Sequence, residues 1–280
     1  MKSRKGNPVA RVLIYAVCIF FTILCIWPFF IMVINSTRNT PQIQQHAVSF
    51  IPSTHLMDNW KVFDGKTFNV FVGLKNSFLI SAGSTILTIY FSTLTAYALV
   101  AYRWKLRQPF FTFILCVMMI PGTIISIGTY QFFYSIKLTN NLLALILPSI
   151  AAPPAVFFMR QFMIASFPLE LLDSARIDGS KEFRTFNTIA IPIMKPAMAT
   201  QGIFSFVNSW NQLFLPQILL TNNELYTLPV MVAQLKGDIY KVQFGAVYLG
   251  LTLTVLPLFI IYFALSKYIV AGVALGSVKG

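Results

Sequence analysis

The sequence predicts an all-α, polytopic membrane protein with six transmembrane helices and both termini on the cytoplasmic side. Three observations predict this class. The first is composition: the chain is 56% hydrophobic and only 10% charged, against about 25% charged in a soluble domain. A chain this apolar cannot cover itself with polar surface, so part of its solvent is lipid. The second is the placement of Asp, Glu, Lys and Arg, which leaves six uncharged windows at 12–37, 76–102, 108–136, 138–159, 196–223 and 242–266. Each exceeds the roughly 20 residues that a helix needs to cross the hydrocarbon. A charge at mid-span costs about 2.5–3.5 kcal/mol on the insertion scale, which accounts for the empty windows. The third is the basic bias. With the N-terminus inside, 14 of the 21 Lys and Arg residues fall in inner segments, as the positive-inside rule requires. The formal charge of +13 then reads as topology and calls for no nucleic-acid partner.

Taken in order, the first window follows a basic start. It is longer than the 7–15 residues of a signal-peptide core, with no small-residue cleavage site, so it reads as a retained span. An outer segment, 37–75, carries the breakers Asn39-Thr40-Pro41 and Pro52-Ser53. Spans two and three flank a short basic loop from Tyr102 to Gln108. Spans three and four flank an outer turn at Lys137–Asn141, and a long inner segment, 160–195, precedes span five at about 197–220. An outer loop at 221–241 leads to span six at about 243–268 and a glycine-rich tail. The chain thus divides into 1–72 (N-terminal tail, first helix and outer segment), 73–270 (a five-helix transmembrane domain with the loop 160–196) and 271–280 (a tail). Pro28, Pro121, Pro148, Pro153, Pro154, Pro216 and Pro257 interrupt the windows. Each removes a backbone donor and kinks its helix.

The inner segment reads as two short helices outside the bilayer. Pro168 suits a first helical position and Gly179 the position just past an end. Glu170 and Asp173 place negative charge in the early turns, on one face with Ser174. A second helix would carry Phe183, Phe186 and Ala190 on one face, closed by Pro192 and Pro196 before span five. Periodicity alone fits either a docking helix for another protein or a membrane-surface linker.

This stretch resembles the signature loop of binding-protein-dependent ABC importer permeases, Glu-Ala-Ala, three residues, Gly, nine residues, Ile-x-Leu-Pro. Here Asp173-Ser174-Ala175 is followed after three residues by Gly179 and after nine by Ile189-Ala190-Ile191-Pro192. The spacing matches without a gap. Asp for Glu, Ser for Ala and Ile for Leu are the departures. Trp210-Asn211, Tyr226-Thr227-Leu228-Pro229, Leu256-Pro257 and the closing Gly276-Ser277-Val278-Lys279-Gly280 are similar to the carbohydrate branch, the maltose-type and multiple-sugar-type permeases. The resemblance covers about 70–280 well and the first span more loosely.

That resemblance implies a type I ABC importer permease fold and alternating access for a sugar or oligosaccharide. It implies a second, different permease subunit, two ATP-binding subunits that hold ATP and Mg, and an extracytoplasmic solute-binding protein. The setting is the bacterial plasma membrane and its lipid bilayer. The chain itself would hold no cofactor and no metal and would be no enzyme. Asp173, Ser174, Ala175 and Gly179 would form the ATPase-coupling motif. Glu170 joins them by its shared face, and Lys279 belongs to a tail that reaches the ATPase pair or anchors the helix end.

Several motifs lead nowhere. Gly65-Lys66-Thr67 would need a further glycine at position 60 to make a phosphate loop, and Trp60 stands there. Gly272 and Gly276 fall outside the apolar window. His46 and His55 are isolated, and Cys18, Cys25 and Cys116 suit neither a disulfide framework nor a metal site. Tyr130 and Gln131 in span three, and Asn208, Trp210, Asn211 and Gln212 in span five, are candidates for the substrate pathway. Amides and aromatics suit sugar hydroxyls and CH faces, although interhelical hydrogen bonding is the other use of such residues. Alternatives are a permease of the same family for a non-sugar solute and an ATP-independent transporter or channel. The latter calls for intramembrane charge, which the windows lack.

Overall fold

A computed structural model of the protein describes residues 8–65, 67–237 and 242–277, with side chains up to 263. The described residues form helices and connecting turns. In order they are α1 (Pro8–Ser36), α2 (Thr40–Gln45), α3 (Leu56–Phe63), α4 (Val70–Ala101), α5 (Arg107–Met118), α6 (Gly122–Ser135), α7 (Leu143–Ile146) and α8 (Pro153–Ser166). They continue with α9 (Glu170–Ile177), α10 (Glu182–Thr185), α11 (Ile191–Trp210), α12 (Phe214–Leu219), α13 (Leu228–Lys236) and α14 (Phe244–Ser277).

Four helical stretches are long and apolar enough to cross a membrane: Val9–Ser36, Val70–Ala101, Leu143–Ser166 and Phe244–Phe263. The expected third span is broken. α5 and α6 together meet the same criterion but bend by 98° across the break, where Pro121 removes a donor and starts α6. The expected fifth span is the 20-residue α11, which does not meet the criterion. Thr200, Gln201, Ser205, Asn208 and Ser209 lower its apolarity, and it packs along α4 rather than standing alone. Among the described residues the stretches of this length and apolarity thus number four, or five with the bent pair, and α11 stands at the place of the expected fifth span. The glycine-rich tail also differs, since α14 stays helical through Gly272 and Gly276 to Ser277.

The chain forms two compact units. One holds the described residues up to Phe68 with Val232–Val255. The segment after α1 carries the short helices α2 and α3, held by buried hydrogen bonds. Arg38, only 6% exposed, donates to Asn35 Oδ1 at 3.0 Å and to the carbonyls of His46 and Gln42 at 2.7 and 2.8 Å. Asn59 donates to the carbonyls of Ser36 and Arg38 at 2.8 and 3.0 Å. These bonds tie the end of α1 to the residues around α2 and to α3, and so pin both short helices. Gly245 approaches this knot so closely that a Cβ there would clash with the Arg38 carbonyl and the Asn59 amide.

The second unit holds Asn69–Met231 with the described residues from Leu256 onward. Its main core joins Tyr97 of α4, Met159 and Met163 of α8, Leu172 of α9, Phe186, and Met194 of α11. A satellite cluster joins Ile80, Phe133, Leu145, Leu215 and Leu219. Asn76 donates to the carbonyls of Glu224 and Tyr226 at 2.9 and 3.1 Å, which ties the 223–226 turn to α4.

Candidate functional site

The loop between α8 and α11 builds the first part of the site. α9 runs from Glu170 to Ile177, so Pro168 stands one residue before the cap, not at the first helical position. Its end is fixed by hydrogen bonds. Gly179 N–H donates to the Arg176 carbonyl at 3.0 Å and Ser180 N–H to the Ala175 carbonyl at 2.9 Å, a Schellman closure. Gly179 sits at φ 73°, in the left-handed region that a Cβ penalises, so this position needs glycine for its backbone alone.

α9 buries Leu172 and Ala175, an i,i+3 stripe that seats it on the core. Glu170, Asp173 and Ser174 are exposed, as their shared face predicts. Ser174 Oγ donates back to the Glu170 carbonyl at 3.0 Å. Around them stand exposed apolar side chains that the sequence reading missed: Leu171 at 43%, Ile177 at 87% and Phe183 at 66%. The legible signal was their position off the Leu172–Ala175 stripe.

The expected separate second helix is replaced by one continuous run. α10 passes through a π-helical turn, Phe186–Ala190, directly into α11. Pro192 has no N–H for the Thr188 carbonyl, and the wide turn just before it absorbs that loss. Phe186 and Ala190 are buried as expected, whereas Phe183 is on the exposed side.

One carboxylate ties these pieces together. Glu182 accepts from Arg176 Nε at 2.9 Å, from the Tyr102 hydroxyl at 2.7 Å and from the Tyr97 hydroxyl at 3.3 Å. Tyr97 and Tyr102 meet edge to face, with ring centroids 5.9 Å apart. The hydrogen bond from Tyr102, then those from Arg176 and Tyr97, hold the Glu182 carboxyl below the ordinary glutamate range, against burial, which raises it. Burial and the Glu182 carboxylate push the Tyr102 phenol up. The hydrogen bond to Glu182 likewise strengthens the Arg176 cation. The pair Arg176–Asp173, at 3.5 Å with Asp173 75% exposed, is a weak surface contact. Lys279 lies outside the described residues.

The second part of the site is a cavity of about 560 Å³ bounded by α4, α6, the 145–155 stretch and α11. Asn208 and Gln212 line it, as do Ser84, Thr88, Ser126, Thr129, Gln201 and Ser205. The other expected pathway residues do not. Trp210 is buried at 3% and stacks on Phe206, with centroids 5.7 Å apart. Asn211 Nδ2 donates to the Val207 carbonyl of its own helix at 3.0 Å. Tyr130 packs into the satellite cluster against Tyr134, and Gln131 is exposed but not on the lining. At 100° per residue Asn208 lies on the same face of α11 as Gln201 and Ser205, and Trp210 points away from it, while Gln212 reaches the cavity from just past the helix end. The cavity lining carries hydroxyls, amides and apolar groups, and no charged side chain among the described residues.

Comparison with known proteins places this geometry. Over 95% of this chain and 95% of its own length, a "Lactose transport system permease protein LacG" of Rhizobium radiobacter is 35% identical. An "Arabinooligosaccharides transport system permease protein AraQ" of Halalkalibacterium halodurans is 33% identical over 99% of this chain and 100% of its own. A chain of the crystal structure of a bacterial ABC transporter involved in the import of the acidic polysaccharide alginate shares the fold. It superposes with a TM-score of 0.78 at 19% identity, covering 96% of this chain and 99% of that one. The family model matches residues 88–275, a stretch that holds the capped α9 and all of the cavity lining except Ser84. The chain belongs to the family of binding-protein-dependent transport system inner membrane components.

Proposed function

We propose that this permease forms part of the pathway by which an ATP-driven importer moves a neutral sugar or oligosaccharide across the bacterial plasma membrane. The observation that carries the substrate class is the uncharged lining of the cavity beside α11. Hydroxyls and amides exchange hydrogen bonds with a polyol one for one, and apolar walls cover its CH faces. A phosphorylated solute would call for Arg or Lys there. This separates the chain from a relative such as the "sn-glycerol-3-phosphate transport system permease protein UgpE" of Salmonella typhi, 29% identical over 88% of this chain. The names of the relatives at 33% and 35% identity support the same reading.

In this proposal both termini face the cytoplasm and the exposed face of α9 seats in a separate ATPase, with Glu170, Asp173 and Ser174 at the contact and Ala175 seating α9 on its own core. Two such ATP- and Mg-binding subunits, a second and different permease chain and an extracytoplasmic solute-binding protein complete the importer. This chain performs no catalysis and holds no cofactor or metal. Its transport core is the 73–270 domain, between the first helix with its outer segment and the tail.

The test is to tag the chain, extract it gently and identify what is retained by mass spectrometry, then measure ATPase stimulation with the matching solute-binding protein. Retention of an ATPase and a second permease, with stimulation by a neutral oligosaccharide, is the expected result. Stimulation by sn-glycerol-3-phosphate and by no neutral sugar would overturn the substrate class. Reproducible recovery of the chain without any ATPase would overturn the importer.

A further inference from the structure

A second cavity, of about 350 Å³, lies away from the polar one, at the end of α4 and along the C-terminal half of α8. Three arginines line it: Arg103, Arg107 and Arg160. Its described lining contains no acidic residue. Arg160 stacks its guanidinium on the Phe111 ring at 3.9 Å, and its Nε is buried without a hydrogen-bond partner. Among the described residues Arg107 reaches only the Tyr102 carbonyl, at 3.4 Å. Neither Arg103 nor Arg160 has an ion-pair partner among the described residues. Three like charges around one hollow repel one another, and a buried guanidinium N–H left unpaired costs free energy. Such a cluster is at rest when an anion fills it.

The rest of the lining says which anion. Leu99, Val100, Met163, Ile164, Phe167 and Leu169 complete the wall. α4 and α8 end here as membrane-crossing stretches, at Ala101 and Ser166. Ile164 and Leu169 are 53% and 45% exposed. Nearby, Trp104 is 40% exposed and packs on Phe110 with centroids 5.9 Å apart, an amphipathic ring of the kind found at headgroup depth. A free phosphate ion would have no use for that apolar wall. A phospholipid would place its phosphate among the arginines, where the planar fork of guanidinium matches phosphate oxygens, and its glycerol and first methylenes against the leucines.

We propose that this cavity is a binding site for the headgroup of an anionic phospholipid, held by Arg103, Arg107 and Arg160. Leu169 and Phe167 of its wall lead directly into α9, so an occupied site also braces the start of the loop helix.

The test is native mass spectrometry of the full-length chain, delipidated in detergent and titrated with phosphatidylglycerol or phosphatidylethanolamine. Wild type should retain one phosphatidylglycerol at a concentration about tenfold or more below that needed for phosphatidylethanolamine, whose ammonium cancels the charge of its phosphate and is repelled by the three guanidiniums. Arg160→Gln should abolish that preference. The double variant Arg103→Gln, Arg107→Gln should do so too, and its two positions lie near the surface, so it keeps the test valid if Arg160→Gln fails to fold. Equal retention of both lipids by wild type, or an unchanged preference in the folded variants, overturns the proposal. Displacement of the lipid by millimolar inorganic phosphate would make the occupant a free anion and overturn the lipid assignment. Variants that keep the lipid preference but lose a co-purifying ATPase would assign the arginines to that subunit and overturn it as well.

Discussion

Replacing Glu182 with alanine should loosen α9 while leaving the rest of the helices in place. The carboxylate accepts three hydrogen bonds, from Tyr102 at 2.7 Å, Arg176 at 2.9 Å and Tyr97 at 3.3 Å. The ionic part is small, because Glu182 and Arg176 are 43% and 38% exposed. Pairs that exposed contribute about 0–1 kcal/mol. The larger part is the hydroxyl of Tyr97, which is 2% exposed and would lose its acceptor on the core side. Stranding such a group costs about 1–3 kcal/mol. The sum, about 2 kcal/mol, falls on the local opening of α9 and not on global unfolding, since Leu172 and the other core residues are untouched.

Hydrogen exchange of the 174–180 amides in the full-length chain reads that opening directly. A loss of about 2 kcal/mol predicts roughly thirtyfold faster exchange there, with the α4 interior unchanged. The pH dependence follows in sign. The folded-state carboxyl of Glu182 titrates below its ordinary value, so its contribution is fully present above the ordinary glutamate range near 4.3. It is lost as pH falls through the lower, folded value. Exchange of α9 in wild type, corrected for intrinsic rate, should therefore rise on acidification below about pH 4 and converge on that of the variant. Exchange in Glu182→Ala within threefold of wild type at pH 7 would refute the reasoning. It would mean that Leu172 and the Gly179 closure hold α9 without the carboxylate.

Gly179→Val should cost about 1–2 kcal/mol of local stability from backbone strain alone, because no atom lies within 4 Å of the added Cβ. Gly179→Asn should recover most of it, and exchange at 174–180 separates the two. Gly245→Ala should destabilise the first unit by about 3 kcal/mol or more, since its Cβ meets backbone and a bonded amide; normal thermal stability and yield would contradict that packing. Asn208→Ala and Gln212→Ala should leave thermal stability within about 0.5 kcal/mol, while raising the half-saturating sugar concentration for uptake about tenfold. Asn211→Ala, whose side chain bonds its own helix, should not change that concentration.

The sequence carried the class of this fold because charge is excluded from hydrocarbon at a cost large enough to empty whole windows. It carried the end of α9 for an equally local reason: only glycine takes the left-handed conformation at 179 without strain. What it did not carry depends on partners distant in sequence. Arg38 looks like a solvated outer charge, yet it is buried by carbonyls of α1 and α2 that nothing local announces. Pro192 and Pro196 look like helix stops, yet the π turn at 186–190 lets one helical run pass through them. The cavity was half legible. Asn208 and Gln212 were found, but Ser205 and Gln201, one and two turns before Asn208 on the same face, were not. Ser84, Thr88, Ser126 and Thr129 were missed because Ser and Thr in helices commonly bond their own backbone. Ser126 and Thr129 do donate to carbonyls four residues back, at 2.9 and 2.8 Å.

The continuity of that helical run matters more than the individual residues. From Glu182 to Asn208 the backbone is helical throughout, and at 1.5 Å per residue it spans about 39 Å, more than the roughly 30 Å of hydrocarbon in a bilayer. One end is bonded to α9 through Glu182 and Arg176; the other end lines the polar cavity. In the proposed importer, a push on the exposed face of α9 would pass through the Glu182–Arg176 contact into one covalent helical run that reaches the cavity. Its weak point is the Phe186–Ala190 turn, where the regular bonding pattern is already broken. Phe186 itself is fully buried between Tyr90 and Tyr97, with ring centroids 5.7 and 5.4 Å away. The aromatic clamp on the flexible turn sits on α4, the same helix that forms the opposite cavity wall. In the proposed importer, a movement of α9 is passed on at Glu182 and met at Phe186, the residue that packs the turn against α4.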